Sequence, residues 1–126
     1  MEPDDYPPWI DPGNAFRIVV KVEKYKANAE YGIVNMDEQQ HVLWVDRCSG
    51  YNLDKFEVDM ASKIYWGSSQ TLSVWSVDVD SEAEWKIRRN VQFESMIKHR
   101  WNEGLTNVRV QVVDKEGYQN YFDNTA

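Results

Sequence analysis

Apolar and polar side chains alternate from Phe16 to Lys24, with Phe16, Ile18, Val20 and Val22 on one side and Arg17, Val19, Lys21 and Glu23 on the other. A period of two is that of a half-buried strand. The alternation returns at Thr71–Val77, where Leu72, Val74 and Ser76 oppose Ser73, Trp75 and Val77, then briefly at Trp85 and Ile87, and again at Val108–Val113. Between these segments the period changes. Leu53, Phe56, Met60 and Ile64 recur at helical spacing within residues 51–64, and Val91, Phe93, Met96, Ile97 and Trp101 form a second apolar stripe over residues 91–101. Asn52 is placed to cap the first helix, Asp54 and Glu57 favour the positive end of its dipole, and Gly67 is a candidate stop. Asn90 and Gly104 are the corresponding signals for the second helix. Residues 25–47 are less regular, and apolar groups at Tyr31–Val34 and Val42–Val45 fit either two short strands or one strand with a long loop.

Strand, strand, helix, strand, strand, helix, strand is the order of an α+β chain. It predicts a ubiquitin-like β-grasp roll, a mixed sheet of four to five strands with two helices on one face. A length of 126 residues suits one domain, expected over residues 15–114. A flexible, acidic, Pro-containing arm without regular structure is expected over residues 1–14, ending in the turn signal Asp11-Pro12-Gly13-Asn14, and a polar tail over residues 115–126.

An apolar content of 42% with 13% aromatic residues is that of a folded chain. Among the tryptophans, Trp85 and Trp101 fit core or amphipathic positions, whereas Trp9 and Trp66 are expected to be partly exposed. The single cysteine, Cys48, has no internal partner and suits a reducing compartment. No apolar run approaches the roughly 20 residues that span a bilayer, and the acidic start lacks the form of a signal peptide. These features lead us to expect a soluble intracellular protein, nuclear or cytoplasmic, that does not enter a membrane. A net charge of −7 disfavours a general nucleic-acid binder, because phosphate contacts need Lys and Arg.

Charge is segregated along the chain. Asp78, Asp80, Glu82 and Glu84 place four carboxylates within seven residues directly after a strand, and like charges that close destabilise one another unless a cation or solvent relieves them. Lys86, Arg88, Arg89, Lys98, His99 and Arg100 follow at once, diluted by Glu94 and Glu103. A two-metal catalytic triad needs carboxylates converging from distant parts of a larger fold, not from one turn. A calcium loop counted from Asp78 would want Gly and Glu at its sixth and twelfth positions, which hold Ala83 and Arg89. Two histidines and one cysteine do not make a four-ligand zinc site without carboxylates. His41, Asp46 and Cys48 invite a thiolate reading, but without further motif context a packed free cysteine and a surface histidine account for them. No metal or cofactor is implied.

The run from Trp75 to Glu94 resembles the acidic motif of the Phox and Bem-one (PB-one) domain family. That family's ubiquitin-like roll pairs such a motif with a lysine on a partner. Trp75 corresponds to the aromatic ending a strand, Asp78, Asp80 and Glu82 to the alternating carboxylates, Trp85 and Ile87 to the next strand, and Phe93 with Glu94 to the helix opening. Lys21 looks like the lysine of the family's basic face. The basic residues of the second strand are absent, and Ser81 stands where the turn commonly has glycine, which favours an acidic-type module. From about Phe16 to Tyr118 the chain is also similar to the N-terminal, PB-one-like regions of plant Mutator-type transposon proteins. The segments that carry this likeness are LDKFEVDMASKIYWGSSQTLSVWSVD, VQFESMIKHRW and VVDKEGYQ.

The resemblance implies a non-enzymatic interaction module in which Asp78, Asp80, Glu82 and Glu84 dock the basic face of another protein, or of a second copy through Lys21. Three other readings stand beside it. The turn could serve only as a solvated, solubilising surface. The chain could be an accessory nucleic-acid-binding domain of a transposon-derived protein, using Lys86, Arg88, Arg89, Lys98 and Arg100, or a domain recruited as a recognition target for a foreign protein.

Overall fold

The computed structural model describes residues 7–115. The described residues form ten regular elements: a short 3-10 turn at Pro12–Asn14, strands β1 (Ala15–Val22), β2 (Tyr25–Ala29), β3 (Gly32–Met36) and β4 (Gln39–Asp46), helix α1 (Leu53–Ala61), strands β5 (Gln70–Val77) and β6 (Glu84–Ile87), helix α2 (Asn90–His99), and strand β7 (Leu105–Asp114). Five strands form one mixed sheet in the order β4-β1-β7-β5-β6, while β2 and β3 form a separate hairpin. β1 and β7 are parallel at the centre, and every other pair in the sheet is antiparallel. This is the expected α+β, ubiquitin-like β-grasp roll, with five strands in its sheet.

The two faces of the sheet differ as the alternation dictates. Phe16, Ile18, Val20 and Val22 from β1, Leu43 and Val45 from β4, Leu72 and Val74 from β5, Ile87 from β6 and Val108 and Val110 from β7 join one buried cluster. Phe56 and Met60 of α1 and Phe93, Met96 and Ile97 of α2 close that cluster from the same side. Phe93 packs α2 against α1, its ring 5.1 Å from that of Phe56 and 5.9 Å from that of Tyr51. Each such fully buried side chain contributes about 1.5–3 kcal/mol by leaving water. Tyr51 donates its hydroxyl to Asp59 Oδ2 at 2.6 Å, and burial, followed by that carboxylate, pushes the phenol up.

The caps show where local signals held and where tertiary contacts took precedence. Asn52 caps α1, its side chain accepting from the Lys55 N–H. Asn90 does not cap α2. Its side chain crosses to α1, accepting from the Asp54 N–H and donating to Asp54 Oδ2, while Arg89 is the N-cap residue and Gln92 Oε1 accepts from the Arg88 and Arg89 N–H groups. α1 ends at Ala61 with Ser62 as its C-cap, so Gly67 has a different task. A Cβ there would collide with the backbone oxygen of Asn28 on β2. Gly104 follows α2 at φ +72°, a left-handed conformation that glycine adopts without strain.

Residues 25–47 hold three strands, where at most two were expected. The additional strand, β2, buries only Ala27 on its inner side, so it carries almost no apolar signal. Within the expected arm, Pro12–Asn14 makes a 3-10 turn capped by Asp11, and Ile10 is 3% exposed, so the packed unit begins ahead of Ala15. Residues 1–6 of the arm and 116–126 of the tail lie outside the described residues. Trp9 is exposed and Trp66 is half-buried against the core. Of the core or amphipathic positions expected for Trp85 and Trp101, the core is excluded, since they are 55% and 37% exposed, because β6 is an edge strand and Trp101 falls beyond the end of α2.

Candidate functional site

Asp78, Asp80 and Glu82 of the acidic run lie in the connection between β5 and β6, and Glu84 is the first residue of β6. Asp78 organises the connection. Its backbone N–H donates to the Ala83 carbonyl and its carbonyl accepts from the Glu82 N–H, while its Oδ1 accepts from the Asp80 N–H at 3.0 Å and the Ser81 N–H at 3.4 Å. This is the local side-chain-to-backbone bonding that makes aspartate a turn former. Arg100, at the end of α2, adds an ion pair to Asp78 Oδ1 at 3.3 Å. The donated N–H of Asp80 comes first among the causes that hold the Asp78 carboxyl below the usual carboxylate range, with further hydrogen bonds from Ser81 and the charge of Arg100 acting the same way. Glu82 takes φ +61°. The left-handed residue of the turn is therefore Glu82, one position beyond Ser81.

Glu84 is committed elsewhere. It lies on the open face of the sheet, where Arg109 of β7 grips both its oxygens at 2.6 and 2.9 Å and reaches Glu23 Oε2 at 2.9 Å. The hydrogen bonds from Arg109 hold the Glu84 carboxyl below its ordinary range, and Glu84 in turn raises the guanidinium. Arg109 and Lys86 flank the Trp75 ring, at 5.2 and 5.9 Å from its centroid. Strand register makes this a continuous row, with Gln40, Lys21, Arg109, Trp75 and Lys86 side by side across all five strands.

The four carboxylates therefore divide into two kinds. Asp78 and Glu84 are neutralised within the fold, whereas Asp80 and Glu82 are exposed and make no side-chain hydrogen bond or ion pair among the described residues. Lys21 is also exposed. It projects from the open face of β1 and pairs with Glu38 at 3.5 Å, both side chains more than half exposed, a geometry that gives way easily to a competing carboxylate.

The basic residues are not gathered on one surface. Lys86 stacks on Trp75 on the open sheet face, Arg100 is held by Asp78, Arg88 and Arg89 lie at the entry to α2, and Lys98 lies in its last turn. Arg47 gave no sequence signal, yet it ties three elements together. Its guanidinium donates to the Ala15 and Trp101 carbonyls and stacks 4.9 Å from the Trp101 ring. His41 bonds Gln39 rather than Cys48, whose thiol is exposed beside Asn14. No group of three or more His, Cys, Asp or Glu side chains among the described residues could hold a metal ion. No helix among them is long and apolar enough to cross a membrane.

No protein-family model matches this chain, and no curated protein does.

Proposed function

We propose that this chain is a non-enzymatic protein-interaction module, of the PB-one-like kind its acidic motif resembles, in which Asp80 and Glu82 dock a basic protein surface. The observation that carries this reading is the division of the acidic run. Asp78 and Glu84 spend their charge on holding the turn and the sheet, and the carboxylates between them are presented outward from a loop already fixed by hydrogen bonds. A preorganised pair of that kind meets a partner with little ordering cost, and charge complementarity steers the encounter.

The chain carries a basic group of the required type in Lys21, two strands away from β5 across the sheet. A second copy can thus present Lys21 to the turn of the first, exchanging its exposed contact with Glu38 for one with Asp80 and Glu82. Zero-length carbodiimide cross-linking of mixed isotopically light and heavy copies tests this. The expected product joins Lys21 of one copy to Asp80 or Glu82 of another. Cross-links confined to Lys21 and Glu38 within one copy would contradict it.

A further inference from the structure

A second surface lies beside the turn and has the opposite character. Between the edge strand β6 and α2 runs a groove of about 460 Å³, lined by Trp85, Ile87, Val91, Met96, His99 and Arg100 among others. That volume is within the range of sites that take a side chain or a small ligand. Trp85 and Val91 are large apolar side chains left 55% and 63% exposed on its two walls. β6 pairs with β5 along one edge, and no strand of the described residues lies along the other. An unpaired edge next to an apolar groove is the arrangement that accepts an added strand.

Charge names the occupant. Arg100 in the lining is already paired with Asp78 at 3.3 Å, but Lys86 on β6 and Arg88 and Arg89, where β6 turns into α2, are exposed and pair with no carboxylate among the described residues. On a chain of net charge −7 this is a local reversal of sign. Alternation along an added strand sends every second side chain towards α2, against Trp85 and Val91, and the others towards the open sheet face, where Lys86 lies. We propose that this groove binds an extended acidic peptide, added to β6 as a strand, in which apolar residues alternate with carboxylates. The acidic turn seeks a basic partner, so this site is independent of the reading above.

Fluorescence anisotropy with the full chain decides it. The probe is a fluorescein-labelled heptapeptide alternating Asp or Glu with Val, Phe and Leu, set against a counterpart with Lys at each acidic position. Saturable binding is expected for the acidic peptide alone. Trp85→Ser and Val91→Asp should each weaken it by about tenfold or more; both positions are exposed, so circular dichroism should remain that of the parent. Amide shifts should concentrate in residues 84–99, and Asp80→Lys with Glu82→Lys should leave the affinity no weaker. Absence of saturable binding, equal binding of the lysine peptide, unchanged affinity in both groove variants, or shifts centred elsewhere would overturn the proposal.

Discussion

Two carboxylates of one turn, four residues apart in sequence, illustrate how environment assigns roles to identical chemistry. Asp78 accepts from the backbone and Glu82 bends the backbone, adopting a left-handed φ that costs an L-residue about 1–2 kcal/mol. Glu82→Gly removes that strain and also removes a docking charge. We expect it to raise folding stability by roughly 0.5–1 kcal/mol in urea titration, after the entropic cost of glycine, while weakening self-association. A variant more stable yet less associated would separate docking from folding. The lowered carboxyls make a pH prediction. Asp78 and Glu84 bind protons less readily folded than unfolded, so their contribution to stability is present above the ordinary carboxylate range and is lost as pH falls through their depressed folded values. Glu57 opposes this trend, since burial and then the charge of Asp54 push its carboxyl up. Thermal midpoints should fall on acidification below about pH 4, and less steeply in Glu84→Gln, which lacks one of the titrating groups.

Among the elements, those whose signals are local were legible in the sequence. Alternation located β1, β5, β6 and β7, and helical spacing with Asn52 located α1, because each depends on residues a few positions apart. β2 was hidden, since YKANA offers a single small buried residue and is held by contacts made from far along the chain. Gln70 supplies the main one. Buried at the start of β5, it accepts from the Asn28 N–H, also accepts from the Gly67 N–H, and donates to the Lys26 carbonyl. Gln70→Ala leaves these backbone groups without a partner, at a cost of about 1–3 kcal/mol, and hydrogen exchange should accelerate first in residues 25–36. Asn90 misled for the same reason, as a good capping residue that serves the neighbouring helix. Asn90→Ala should lower stability by about 1 kcal/mol and loosen α1 near Asp54 as much as α2. Composition and spacing likewise identified the acidic turn. Its internal neutralisation was not legible, because Arg109 lies 25 residues from Glu84 and reaches it only through strand pairing.

At the scale of the molecule, the β-grasp roll sets unlike surfaces around one core. The β5–β6 turn presents negative charge, the groove between β6 and α2 is apolar with unpaired cations along its β6 edge, and Lys21 stands on the open face of the sheet. Association between an exposed lysine and exposed carboxylates is screened by salt, since the Debye length shrinks from about 30 Å at 0.01 M to about 3 Å at 1 M. Sedimentation equilibrium of the parent chain and of the Asp80→Lys, Glu82→Lys variant at those two ionic strengths is the direct test. The parent should associate with rising concentration at low salt and become monomeric at high salt, with the variant monomeric throughout. A parent chain that stays monomeric under every condition, or a variant that associates as the parent does, would contradict docking of the turn onto Lys21 of a second copy.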